Sequence, residues 1–387
     1  MTALVAGADW PPAARGRCAL HLTAAAARGR FELQVCERCG AVQYPPREVC
    51  VRCLSVRLRW TEQEGLGTVL AITTLAHSNA GYFQARLPWH LGLVQLRCGP
   101  TVMVHLHGAV AVAPASVRVI ARLDRSGRGV LIGLPATSMD TLEGDAMMQE
   151  MGCDPRSRRI LVTDGESESG LALVQALLAA GAAKVWVGHS GCLESVAMPA
   201  EAPRVEYVAL DLKRGDSAQA LAQAIGAEVD ILIHNHDVQL GNAGGAGLAA
   251  ATTEMEINYF GLVRLVQAFA PLLKQRARQV PACAWVNLLS LAALSGFAVQ
   301  STYCASKAAA LSFTQSLRAQ LQPDGVRVVS VFGGPIGAAD LADAIVVALR
   351  EGLEDVYPGE VAQSWLRGLR EDPKVWEREL AAAARPS

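Results

Sequence analysis

No stretch of this sequence reaches the ~18 consecutive apolar residues that a membrane-spanning helix needs, so no spanning segment is expected. Charge of either sign is also scarce. Charged residues make up 18%, and 35 Lys+Arg stand against 36 Asp+Glu for a net charge of −1. That balance gives no whole-chain reason to expect nucleic acid or an anionic membrane as partner. Aromatics are only 5%, and few are interleaved with basic residues, as a single-strand nucleic-acid surface would require. The first 30 residues carry Asp9 and Trp10-Pro11-Pro12 and lack a basic start followed by an apolar block, so no secretory signal is expected. A hydrophobic content of 51% excludes general disorder. At 387 residues, two domains are expected, or one large domain with an appendage.

Cysteine is unevenly placed. Four of ten lie at Cys36, Cys39, Cys50 and Cys53, and the other six are scattered singly. Without an export signal a disulfide framework is disfavoured and a cytoplasmic location is expected. Cys36-Glu-Arg-Cys39-Gly40 and Cys50-Val-Arg-Cys53 form two Cys-x-x-Cys knuckles separated by ten residues. Two such pairs can close a tetrahedral shell around one structural Zn²⁺, leaving no position for water or substrate. The bland alternative is four reduced cysteines packed as small hydrophobes. Tyr44-Pro45-Pro46-Arg47 between the knuckles stiffens the connection.

Residues 58–140 read as all-β. Gly65–Thr74, Leu91–Leu96, Thr101–Leu106 and Ser116–Arg122 are apolar, β-branched or alternating, with Arg97-Cys-Gly-Pro100 as a turn. Short strands at this spacing predict a small barrel or sandwich. Residues 20–135 then resemble the zinc-ribbon plus OB-fold proteins that accompany acyl-CoA enzymes. The matching residues are the two knuckles, Tyr44-Pro45-Pro46-Arg47, Gly67-Thr68-Val69 and Leu87-Pro88. The resemblance implies a module that binds or presents acyl-CoA, or docks onto a thiolase- or aldolase-type partner. Oligonucleotide binding ranks second for an OB-fold here.

Acidic residues give way to basic ones across 141–157, predicting a linker with its boundary near 157. From 158 the pattern alternates. Strands are predicted at 159–163, 184–187, 205–210, 230–234, 284–288 and 326–331. Helices are predicted at 171–181, about 250–275 and 304–320. Such alternation makes a doubly wound parallel sheet with ligands at the carboxyl ends of its strands. The predicted order is a helical lead-in over 1–30, a zinc ribbon over 31–57, an OB-fold over 58–140, the linker, and a Rossmann-like α/β domain over 158–387.

Tyr303 and Lys307 are one helical turn apart, Ser290 lies thirteen residues earlier after a strand, and Asn258 sits in Glu256-Ile-Asn258-Tyr. Together, and inside this alternation, they resemble the short-chain dehydrogenase/reductase family over about 158–387. The resemblance implies an oxidoreductase using NAD or NADP, with Asn258, Ser290, Tyr303 and Lys307 catalytic. It places Thr163, Gly165, Gly170, Asp211, Asn235, Tyr303, Lys307, Pro335 and Ile336 around the cofactor. Cationic Lys307 is expected to lower the Tyr303 phenol from its usual ~10. Ser290 is expected to support charge on the reacting oxygen. Asn258 is expected to hold a water that relays protons through Lys307. A surface Tyr–Lys pair, a capping Ser290 and a structural Asn258 are the plain alternatives. The family also pairs the helices bearing Asn258 and Tyr303 across a two-fold axis, implying a homo- or hetero-oligomer.

Four departures bear on function. The family's Thr-Gly-x-x-x-Gly-x-Gly reads Thr163-Asp164-Gly165-Glu166-Ser167-Glu168-Ser169-Gly170, with carboxylates in two glycine positions. These repel a pyrophosphate, unless they face solvent as helix N-terminal charges. The family's Asn-Asn-Ala-Gly reads His234-Asn235-His236-Asp237, and no third metal ligand accompanies the two histidines. Pro-Gly becomes Gly333-Gly334. Pro335–Ala338 runs almost directly into a helix, so the substrate lid is expected to be missing. Two readings follow: a dehydrogenase or reductase of β-hydroxyacyl- or β-ketoacyl-CoA, or a silent scaffold subunit of a thiolase, aldolase or heteromeric dehydrogenase complex.

Overall fold

The computed structural model describes residues 11, 16–137, 145, 149–191, 203–240 and 247–383. Of the expected lead-in and linker, residues 1–10, 12–15, 141–144 and 146–148 lie outside the described residues. The chain divides into two compact units between Gly152 and Cys153, with Glu351–Leu353 grouped with the first.

The first unit opens on a short helix, α1 (Leu20–Ala26). A three-stranded antiparallel sheet follows, ordered β2 (Val42–Gln43), β1 (Glu32–Cys36), β3 (Leu58–Glu62). Two buried glutamines tie its loops together. Gln43 Nε2 donates to Gln34 Oε1 at 2.9 Å, which also accepts from the Arg47 amide at 2.8 Å. Gln43 Oε1 accepts from the Val51 amide at 3.0 Å. Polar side chains buried this way remain satisfied, so they fix the loop that carries both knuckles.

Five further strands close a barrel: β4 (Leu66–Leu75), β5 (Trp89–Leu96), β6 (Thr101–Leu106), β7 (Ala115–Leu123) and β8 (Gly129–Pro135). A short helix, α2 (Gly81–Gln84), joins β4 to β5. The order β4-β5-β6-β8-β7, with β6 and β8 parallel and β7 returning to β4, is the five-stranded Greek-key arrangement of an OB-fold. Inward residues alternate along each strand. Val102, Val104 and Leu106 on β6 and Val117, Val119, Ala121 and Leu123 on β7 are all buried. The run 129–135 is buried almost throughout and shows no alternation.

The second unit is a seven-stranded parallel sheet. Its strands are β9 (Arg159–Val162), β10 (Lys184–His189), β11 (Val205–Ala209), β12 (Ile231–His234), β13 (Cys283–Ser290), β14 (Val326–Gly333) and β15 (Asp355–Val356). Their spatial order is β11-β10-β9-β12-β13-β14-β15. Chain direction therefore reverses its progress between β9 and β12, which opens the crevice where such sheets bind ligands. The helices are α3 (Glu168–Ala179), α4 (Gly215–Ile225), α5 (Leu248–Met255), α6 (Gly261–Ala277), α7 (Ser301–Leu321), α8 (Ala338–Glu351), α9 (Gly359–Glu371) and α10 (Pro373–Ala383). The apolar strand runs, such as Ile160-Leu-Val162 and Ile231-Leu-Ile233, are buried from both faces, which explains their lack of alternation. Phe269 and Leu273 of α6 and Leu317 and Leu321 of α7 pack into the same core. Among the described residues no helix is long and apolar enough to cross a membrane.

The expected single helix over 250–275 is interrupted. Residues Glu256–Phe260 form a π-helical turn between α5 and α6. Such one-turn bulges insert an extra residue and re-aim side chains, often at functional sites. Here the bulge turns Asn258 inward, where it is 2% exposed.

Candidate functional site

The four knuckle sulfurs converge in the first unit. Cys36 Sγ lies 3.6 Å from Cys53 Sγ, Cys39 Sγ lies 3.6 Å from Cys50 Sγ, and all four are within 4.8 Å of one another. Thiolates at ~2.3 Å from a tetrahedral zinc would be about 3.8 Å apart, so the donor set fits that ion. The Arg52 amide donates to Cys50 Sγ at 3.4 Å, a backbone contact that favours the thiolate form.

In the second unit, strand ends gather the tetrad residues. Tyr303 and Lys307 lie on one face of α7, 4% and 2% exposed. Ser290 ends β13; its hydroxyl accepts the Ala292 amide at 3.1 Å and lies near enough to the Tyr303 phenol to favour its ionised form. Asn258 reaches the same neighbourhood through the π turn. Its Nδ2 donates to Val238 O at 2.8 Å and Ser306 Oγ at 2.9 Å, and its Oδ1 accepts from the Val238 amide at 2.9 Å. Both amide hydrogens are therefore committed to protein groups.

A fifth group stands among them. Asp237, three residues past β12, accepts a hydrogen bond from the Tyr303 hydroxyl at 2.9 Å through Oδ2. Its other oxygen lies 3.1 Å from Lys307 Nζ. The loop carrying it is pinned by Asn258 at Val238 and by Glu254, fully buried on α5, whose Oε1 accepts the Leu240 amide at 2.7 Å. The consequence corrects the expected electrostatics. Burial, then the Asp237 charge and hydrogen bond, push the Tyr303 phenol well above the ordinary tyrosine range, with Ser290 opposing. Lys307 does not prevail, because its ammonium is paired with the same carboxylate.

The crevice between β9 and β12 is clamped by Thr163 and Asn235. The Asn235 amide donates to Thr163 Oγ1 at 3.2 Å. Its side chain exchanges two hydrogen bonds with the Asp164 backbone, at 2.8 and 2.6 Å. Asp164 Oδ1 folds back over the turn and accepts the amides of Glu166 at 3.1 Å and Ser167 at 3.3 Å. Ser167 caps α3 through the Gly170 amide at 3.2 Å, so the helix starts at Glu168 rather than 171. Glu166 and Glu168 are exposed, and Glu168 lies in the first helical turn, where the macrodipole favours a negative charge. Gly170 is obligatory, since a Cβ there would collide with the Asp164 carbonyl oxygen. Gly165 is needed for packing, since a Cβ would overlap the Val187 side chain on β10.

Asp211, two residues past β11, accepts the Lys213 amide at 2.9 Å, and its own amide donates to Ser217 Oγ, organising the start of α4. Pro335 and Ile336 lie in the short link between β14 and α8, which begins at Ala338. His234 and His236 stack with ring centroids 6.3 Å apart beside Thr163. Burial first, then His236 and Lys307, holds His234 below the usual histidine range; burial also holds His236 below it, against Asp164, Asp211 and Glu166 and with a smaller push from Lys307. Among the described residues, no third ligand joins them in a metal group.

A family model described as short chain dehydrogenase matches residues 158–346. A crystal structure of a short chain dehydrogenase from Burkholderia cenocepacia in complex with NADP is 31% identical, with a TM-score of 0.53, covering 59% of this chain and 98% of that one. The chain belongs to the short-chain dehydrogenase family. Two further models match the first unit of this short-chain dehydrogenase: a ChsH2 rubredoxin-like zinc ribbon domain over 23–58 and a ChsH2 C-terminal OB-fold domain over 60–135. Bovine retinol dehydrogenase 8 is 36% identical over 152 residues, 39% of this chain and 47% of that protein. The uncharacterised oxidoreductase DltE of Bacillus subtilis is 30% identical over 179 residues, 44% of this chain and 69% of that protein. The chain spans about half the length of the curated relatives it matches first.

Sequence reasoning named Asn258, Ser290, Tyr303 and Lys307 but missed Asp237 as a partner of Tyr303 and Lys307. The signal was partial: an acidic residue in place of the motif's glycine, just past a predicted strand. It read there only as a departure from the family's Asn-Asn-Ala-Gly.

Proposed function

We propose that the second unit interconverts a hydroxyl and a keto group on an acyl-CoA of the β-hydroxyacyl/β-ketoacyl type, using NAD or NADP. The first unit presents the acyl-CoA or docks a thiolase- or aldolase-type protein. The observation that carries the reading is the convergence of Ser290, Tyr303 and Lys307 beside the β9/β12 crevice. A scaffold has no need of all three. The NADP complex of the Burkholderia relative and the ChsH2-type modules support the cofactor and the acyl-CoA class respectively.

The crevice residues fit a dinucleotide. Gly170 lets the Asp164 carbonyl close onto the first turn of α3, whose N-terminus favours an anion, and Thr163 and Asn235 fix the turn. When bound, the nicotinamide supplies or accepts hydride. The chain's own residues do the rest. Ser290 donates a hydrogen bond to the reacting oxygen, Tyr303 exchanges a proton with it, and Lys307 and Pro335–Ile336 line the nicotinamide side. Asp211 stands near the adenine end. The helices bearing Asn258 and Tyr303 pair two subunits, in a cytoplasmic homo- or hetero-oligomer.

A second reading has its own observation. The Asp164 carboxylate already occupies the Glu166 and Ser167 amides that a phosphate would use. In that reading the unit is a silent scaffold for a partner enzyme. Calorimetry with NADPH and NADH separates the two, followed by turnover of acetoacetyl-CoA and its loss in Tyr303→Phe. No binding at millimolar cofactor, with the fold intact, would leave the scaffold.

A further inference from the structure

We propose that Asp237 is the proton terminal of this site: Tyr303 passes protons between the reacting oxygen and the Asp237 carboxylate, and Lys307 serves as the fixed countercharge. The inference deepens the oxidoreductase reading and rests on it for its catalytic half.

The geometry commits each group. The single phenol proton of Tyr303 points at Asp237 Oδ2 over 2.9 Å. A phenol so committed can take a proton from a substrate hydroxyl only as it gives its own away. No free phenolate is then needed, which matters because burial and the carboxylate disfavour one. Lys307 is buried, and its ammonium sits 3.1 Å from Asp237 Oδ1, with the Leu288 carbonyl at 3.5 Å beside it. A buried ammonium held this way balances the carboxylate instead of the phenol.

Asp237 gives the site a direct exit to solvent. Both amide hydrogens of Asn258 are spent on Val238 and Ser306, so that side chain anchors the loop that carries Asp237. Asp237 is 48% exposed and can exchange its proton directly with solvent. The ionisable groups around it are Tyr303 and Lys307 on α7, the neutral His234 at the end of β12 and the neutral His236 just past it. Asp164, Glu166 and Asp211 bear on His236.

In alcohol oxidation the O–H bond of the substrate breaks and its proton bonds to the Tyr303 oxygen. The Tyr303 proton bonds to Asp237, which releases it to water. The C–H electron pair leaves as hydride to the oxidised nicotinamide, so alcohol and oxidised cofactor yield ketone, reduced cofactor and one proton. Reduction runs the same path backward.

The test uses the full-length chain and two readouts. First, phenolate absorbance is titrated for the native protein, Asp237→Asn and Asp237→Gly, each against its Tyr303→Phe counterpart. Removing the carboxylate frees Lys307 to act on the phenol, so Tyr303 should ionise about two pH units lower. An unchanged titration overturns the inference. Second, reduction of acetoacetyl-CoA by NADPH is followed across pH. Asp237→Asn should lower kcat at least tenfold with KM little changed. A kcat that rises on substitution would mark Asp237 as a brake and overturn the relay. If the phenol shifts as expected but the native protein transfers no hydride, the oxidoreductase reading fails and takes the catalytic role with it.

Discussion

Asp164→Gly is the most informative single change in the cofactor crevice. The native carboxylate accepts two turn amides, and a bound pyrophosphate would have to displace it and then remain close to it. A like-charge pair at ~4 Å costs about 4 kcal/mol at an effective dielectric of ~20. Asp164 is half-buried, and salt and side-chain rotation reduce that figure, so about 1–3 kcal/mol is the expected penalty. Removing it should tighten NADPH binding roughly tenfold to a hundredfold. The same change strips two hydrogen bonds from the turn and adds backbone freedom, so the ligand-free protein should lose about 1–2 kcal/mol. Opposite signs in the two measurements are the signature. Titration calorimetry gives the affinity and thermal denaturation the stability. Asp164→Asn, which keeps the shape but not the charge, should recover much of the affinity with less loss of stability. An Asp164→Gly protein that folds normally and binds NADPH no better would refute the electrostatic account of this loop.

Other substitutions test separate parts. Cys39→Ser should abolish stoichiometric zinc and unfold the ribbon while the second unit keeps its fold; an unchanged metal content by atomic spectroscopy would rule out four-thiolate ligation. Asn258→Ala removes three buried hydrogen bonds at the π turn and should cost about 3 kcal/mol in denaturant unfolding; a loss under ~1 kcal/mol would deny it the anchoring role. His234 and His236 are held below their unfolded value of about 6.5, so the unfolded chain binds more protons in acid. Their stabilising contribution is complete above ~6.5 and is lost as pH falls below it. His234→Gln should flatten that acid limb of the stability profile, and an equally steep limb would exclude histidine as its cause.

Much of this architecture can be read from the chain because its signals are local. Knuckle spacing alone brings four sulfurs together, and apolar runs alternating with helical periodicity give the parallel sheet. The missing lid shows in the four residues between Gly333 and Ala338. What escaped reading depends on tertiary context. The strand at 129–135 has both faces covered, so no alternation marks it. The amphipathic helices α9 and α10 at the end of the chain carry no motif. The π turn at 256–260 leaves the helical periodicity intact while moving Asn258 inward. The direction of the Tyr303 shift was inaccessible for a similar reason. Spacing shows that Lys307 is near the phenol, but not that a carboxylate from a strand end stands between them.

The loop from Asp237 to Leu240 looks like an ordinary surface connection, yet three separate elements hold it down. Lifting it would strand the Lys307 ammonium in a dry interior and take hydrogen bonds from Asn258 and Glu254 at once. It therefore behaves as a keystone. Its backbone amides at Val238 and Leu240 should exchange with deuterium far more slowly than their place at the rim would lead one to guess.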